Sequence, residues 1–193
     1  VDVEAAHLFF SLLALVAGGG AVLIVVARLA AGTLPAARGI VDGVASINLW
    51  LAFLVAATSM GGSLYFSEVA DYVPCQLCWF QRIAMYPLAI ILLIAAIRGD
   101  QRVRWYAVPL AAIGAVVSTY HYLVEWKPSL EGGACGFGPS CADIWFRELG
   151  FVTLALMALC GFLAVITLTT LTPASTTASL DDDLSAMADK EPV

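Results

Sequence analysis

Charge is what this chain has least of. Of its 193 residues only 12% are charged, and Lys and Arg together number nine. So few cations exclude an electrostatic nucleic-acid binder, which needs a basic surface to meet phosphates. Long runs carry no charge at all: Leu8 to Ala27, Gly43 to Ser67, Ile83 to Ile97, Trp105 to Val124, and Leu149 to beyond Thr170. Internal repeats are not evident either. What is abundant is apolar surface, with 61% hydrophobic residues and a mean hydropathy of +0.91. A soluble domain of this size could not hide that much, so the bilayer is the expected solvent.

A spanning helix needs about 20 apolar residues, and four of the five runs reach that length. The third is short between Arg82 and Arg98. Its helix is therefore expected to start near Pro74 and to carry Arg82 in its first turns, proline being tolerated at the first helical position. Open strand edges are forbidden in hydrocarbon, so the spans should be helices and the chain an all-α membrane protein. Asp2 and Glu4 make a poor basic leader, so the first run is expected to be a retained span rather than a cleaved signal.

Lys and Arg set the orientation. Arg28 and Arg38 flank the first connection, and Arg98, Arg102 and Arg104 crowd the third. The second has no basic residue, and the fourth has only Lys127 and Arg147. The first and third connections are expected in the cytoplasm. Both cysteine-bearing loops and the N-terminus then lie outside, and the C-terminus inside. After Pro173 the chain turns polar and acidic (Asp181, Asp182, Asp183, Asp189, Glu191), a composition expected to be disordered.

Five cysteines are present. Cys75-Gln-Leu-Cys78 stands where a polar loop becomes an apolar helix, Cys135 and Cys141 lie in a Gly- and Pro-containing loop, and Cys160 is mid-span. Two close pairs on the oxidising side of a membrane read as two disulfides, and Cys160 as a small core residue. At a helix N-terminus the backbone dipole favours thiolate, the reactive form. Arg82 is spaced i, i+4 from Cys78 and so shares its face; the guanidinium is expected to stabilise a Cys78 thiolate and negative charge on a reducible ligand. The bland alternative is a snorkelling arginine. The second pair is either a mobile substrate for exchange or a static staple. Two readings of another kind are a zinc or copper thiolate site built from the four cysteines, and a structural membrane protein with inert cystines.

Gly62-Ser-Leu-Tyr-Phe-Ser-Glu68, Pro74-Cys-Gln-Leu-Cys-Trp-Phe-Gln-Arg82, Met85-Tyr-Pro87 and His121-Tyr-Leu123 resemble the disulfide bond formation protein B (DsbB) family, most of all its Gram-positive branch, BdbC. The likeness covers about four of the five spans and divides the chain into three parts. Residues 1–44 are an extra N-terminal transmembrane helix with a cytoplasmic linker, 45–172 a four-helix transmembrane redox bundle, and 173–193 the acidic tail. The resemblance implies an enzyme of the bacterial cytoplasmic membrane, a quinone-dependent thiol oxidase. It would reoxidise an extracytoplasmic thioredoxin-fold partner (DsbA- or BdbD-like) and support disulfide formation in exported proteins. It implies that Cys135 is the sulfur attacked by the partner, Cys141 its mate, and Cys75 and Cys78 the pair that reoxidises them. Cys78 would face the quinone, with Arg82 and His121 beside it, and the Gram-positive likeness favours menaquinone over ubiquinone. No metal is expected. Trp79, Phe80, Trp126 and Trp145 are candidates for the layer around the quinone or for simple interfacial anchors.

Overall fold

A computed structural model of the chain describes residues 2–171, with 137 excepted; the acidic tail and its expected disorder lie outside the described residues. The apolar runs become helices: α1 (Val3–Ala30), α3 (Asn48–Glu68), α4 (Gln76–Arg98), α5 (Arg104–Trp126) and α6 (Leu154–Thr169). Among the described residues there is no strand, only an isolated bridge between Glu148 and Val152. Four helices are long and apolar enough to cross a bilayer, and α6 is a shorter apolar helix.

Two elements differ from the sequence expectation. The linker after the first span contains α2 (Pro35–Ala45), an amphipathic helix opened by Pro35 at its first position and packed on α1. The last helix starts at Leu154 rather than at Leu149. Residues 148–152 close a turn, with Leu149 and Gly150 at positive φ, and Thr153 caps the helix by accepting from the Leu156 N–H (3.4 Å).

The bundle core sets small residues against large ones. Ala52 and Ala56 of α3, Leu88 and Leu92 of α4, Ala107 and Ala111 of α5, and Phe162 and Val165 of α6 are buried together. Small side chains let helices approach closely where lipid offers no hydrophobic drive between them. Gly114 is the tightest case, since a Cβ there would stand 2.3 Å from the Phe162 ring. At the end of the bundle away from the cysteines, buried Asn48 donates to the carbonyls of Leu171 (2.6 Å) and Leu168 (3.2 Å). One side chain at the start of α3 thus satisfies the orphan carbonyls that end α6.

The extra helix is not a loose anchor. α1 packs along α6. Arg28 donates to the Thr170 carbonyl at one end (3.3 Å), and His7 Nε2 meets the Tyr72 hydroxyl at the other (2.8 Å). The α1 N-terminus therefore shares the end of the bundle that carries both cysteine loops.

Candidate functional site

Cys75 is the N-cap of α4. Its backbone is extended and its sulfur accepts from the Cys78 N–H (3.3 Å). The helix thus begins close to the expected start near Pro74, with Pro74 one residue ahead of the cap rather than at the first helical position. The capping place, which takes a side-chain acceptor for the free N–H groups of the first turn, is held by a sulfur, and Pro74 precedes it. One helical turn separates the cysteines, and their sulfurs are 3.0 Å apart as free thiols.

The surroundings favour a thiolate at Cys75, where the Arg82 spacing had pointed to Cys78. The hydrogen bond from the Cys78 thiol, together with contact to His121, outweighs burial and lowers the Cys75 pKa to about 4. Gln81 donates to His121 Nδ1 (3.2 Å). That leaves Nε2 to carry the proton and to face Cys75 Sγ at 3.6 Å. His121, expected as a contact of the quinone, is thus buried on the Cys75 side of the α4 tip. One turn further along α5, buried Glu125 accepts from the Thr153 hydroxyl (2.6 Å). Sequence reasoning missed Gln81 and Glu125. Their signal was a polar side chain inside an apolar helix, at turn spacing from Leu77 and His121.

Cys135 and Cys141 are joined in a disulfide. Cys141 is fully buried and packs with Cys75, Leu77 and Val124, whereas Cys135 is half-exposed. The loop is held rather than free. Glu131 accepts from the Cys141 N–H (2.7 Å) and the Ser140 hydroxyl (2.9 Å), and the Tyr120 hydroxyl donates to the Leu130 carbonyl (2.8 Å). The two cysteine pairs fall in separate groups, Cys135 and Cys141 with Glu131, and Cys75 and Cys78 with His121. Cys75, Cys78 and His121 do place their ligand atoms within 4.8 Å of one another, close enough to hold a thiolate-seeking ion.

The other face of the α4 tip opens on a cavity of about 480 Å³ between α1, α3, α4 and α6. Cys78, Gln81, Arg82, Ser63, Tyr72 and Trp145 line its cysteine end. Arg82 donates to the Ser63 carbonyl (3.0 Å) and lies 5.3 Å from the Trp79 ring centroid. Of the aromatic candidates, Trp145 lines this cavity and Trp79 braces Arg82. Phe80 and Trp126 are exposed, and Trp126 is covered by the Arg147 guanidinium at 4.3 Å. Cys160 packs against Gly18 of α1, away from both cysteine pairs.

Thiol–disulfide chemistry at the rim of a helical membrane bundle is the class this fold and site define. Sequence comparison narrows it. Residues 46–172 match the family described as Disulfide bond formation protein DsbB, and the chain belongs to that family. Disulfide bond formation protein C of Bacillus subtilis (strain 168) is 44% identical over 121 residues, covering 62% of this chain and 88% of its relative. Probable disulfide formation protein C 1 of Bacillus anthracis is 45% identical over 106 residues, covering 54% and 76%. No solved structure matches. Membership gives this multi-pass bacterial membrane protein a role in disulfide bond formation, as a membrane thiol–disulfide oxidoreductase.

Proposed function

We propose that the protein reoxidises an extracytoplasmic thioredoxin-fold dithiol protein and passes the electrons to a membrane quinone, with menaquinone favoured. Both cysteine loops face outward and the α4–α5 connection lies in the cytoplasm. The observation that carries this reading is the two-sided α4 tip. Cys75 faces His121 and the Cys141 loop, and Cys78 faces an apolar cavity of about 480 Å³ beside a guanidinium. Cavities of this size suit one small-molecule ring with a few placed polar groups.

The exchanges balance as follows. The partner's thiolate attacks Cys135, the more accessible sulfur of the pair, and Cys141 leaves. The partner's second thiol then releases Cys135, so the partner becomes a disulfide and the loop a dithiol. That dithiol is oxidised in turn by a Cys75–Cys78 disulfide. Each sulfur then has a distinct task. Thiolate stabilisation at Cys75 stabilises the reduced pair and so makes its disulfide a better acceptor, the logic by which the oxidase DsbA is strongly oxidising. Cys78 presents its thiol to the cavity, and Arg82, fixed by Ser63, holds positive charge there. The residues fit a quinone: a cation and an amide at one end for its ring oxygens, and apolar walls for the rest. Bound there, the quinone supplies a sink for two electrons and two protons as the dithiol closes to a disulfide.

Anaerobic mixing of purified protein with a reduced thioredoxin-fold partner and menaquinone tests the reading. Quinol should appear in step with oxidised partner. Partner oxidation that stops once the protein's own disulfides are spent, with no quinol, would refute it.

A further inference from the structure

The family match begins at residue 46, so α1 lies wholly outside it. Yet α1 and the matched region fit each other at several heights. The His7 ring stacks on Phe146 (centroids 4.0 Å apart) and meets the Tyr72 hydroxyl. Phe10 seats in a notch at Gly62, where a Cβ would come within 2.9 Å of its ring. Gly18 admits Cys160, where a Cβ would stand 2.8 Å from the sulfur. Fully buried Ser11 and the Arg28 contact to Thr170 complete the seam with α6.

The cavity is also sorted by polarity along the bundle. Cys78, Arg82 and Ser63 stand at its cysteine end. Further from the cysteines its walls are Leu51, Leu54 and Val55 of α3 and Leu13, Val16 and Ala17 of α1. Among the described residues no charged side chain lines that deeper part. A ligand with a polar ring and a long hydrocarbon tail matches this gradient, with ring toward Cys78 and tail toward α1.

We infer that α1 is a wall of the carrier site, and that its Leu13-to-Ala17 face holds the isoprenoid tail of the quinone. The inference rests on the quinone reading above and adds to it a helix that the family match does not contain. α1 closes over the space beside α3 that would otherwise be open to lipid, so it sets which tails are retained.

The test uses the whole 193-residue chain in detergent and a menaquinone analogue carrying a diazirine on the first isoprene units of its tail. After photolysis, peptides are mapped by mass spectrometry, with unlabelled menaquinone as competitor. The expected result is competable labelling within residues 10–17 together with 51–55. Competable labelling confined to α3–α6 would overturn the role of α1 and leave the quinone reading standing. Absence of competable labelling anywhere would refute the quinone reading, and with it this inference. As a second measurement, Ala17→Trp should weaken equilibrium binding of tailed menaquinone about tenfold more than that of a tail-less naphthoquinone. An equal effect on both ligands would contradict the assignment of the tail to α1.

Discussion

His121 Nε2 stands 3.6 Å from Cys75 Sγ, while Cys78 Sγ, 3.0 Å from the same sulfur, belongs to the lining of the opposite cavity. Cys78 also borders the small cleft that holds Cys75, His121 and Glu125, so the dithiol stands between two environments. Cys75 is favoured as an anion chiefly by the hydrogen bond from the Cys78 thiol, with His121 adding to it, while Cys78 borders the apolar cavity.

The folded Cys75 pKa of about 4 lies below the ordinary thiol value. Its stabilisation of the reduced, folded protein is therefore present in full above the ordinary thiol pKa of about 8.5. It declines as pH falls and is lost as pH passes through about 4. Thiolate absorbance and alkylation rate of reduced protein should stay nearly flat from alkaline pH into the acid range. His121→Ala should shift that fall upward. A profile centred on the ordinary thiol value in the native protein would count against the site.

Cys141→Ala should trap a mixed disulfide between Cys135 and the thioredoxin-fold partner, because Cys135 is the half-exposed sulfur and Cys141 is buried. Non-reducing electrophoresis reads the adduct. An adduct that persists when Cys135 is also removed would reverse the assignment.

Arg82→Ala should raise the apparent quinone KM about ten- to a hundredfold, the scale of a lost charge-assisted hydrogen bond. The rate of exchange with the partner should suffer far less. An unchanged quinone KM would leave Arg82 with only its contacts to Ser63 and Trp79.

Gly114→Ala should destabilise the bundle by about 1–3 kcal/mol, the usual cost of overpacking, because its Cβ would meet the Phe162 ring. Thermal unfolding in detergent measures this. Gly133→Ala, in open space, is the control and should leave the melting temperature nearly unchanged.

Orientation is checked on intact cells with an impermeant thiol reagent. Ser129→Cys, in the exposed turn before the second cysteine pair, should label, and Asp100→Cys, in the exposed α4–α5 connection, should not. The reverse pattern would turn the cysteines toward the cytosol and end the proposal.

The helices were legible because hydrocarbon leaves no room for charge, so the charge-free runs and their flanking arginines marked α1, α3, α4 and α5 directly. The start of α6 was not, because Leu149 to Thr153 is as apolar as the helix that follows, and only the left-handed turn at Leu149 and Gly150 and the Thr153 cap separate them. The four cysteines and Arg82 stood out by type and spacing, and the structure groups them at one end of the bundle. Which sulfur becomes the anion could not be read from spacing. Arg82 is one turn from Cys78, but the Cys75 sulfur receives the Cys78 thiol hydrogen bond and, from α5, the contact of a histidine forty-six residues further on. The partnership of Gln81 with His121, and the seat of Phe10 at Gly62, are likewise contacts between distant segments that no local pattern announces.

The most direct measurement is a single turnover without any partner. Protein with Cys75 and Cys78 reduced is mixed anaerobically with one equivalent of menaquinone, and quinol and remaining thiols are counted. The account predicts one quinol for each Cys75–Cys78 disulfide formed, and none in Cys78→Ser. Thiols that persist beside unreduced menaquinone in the native protein would contradict it.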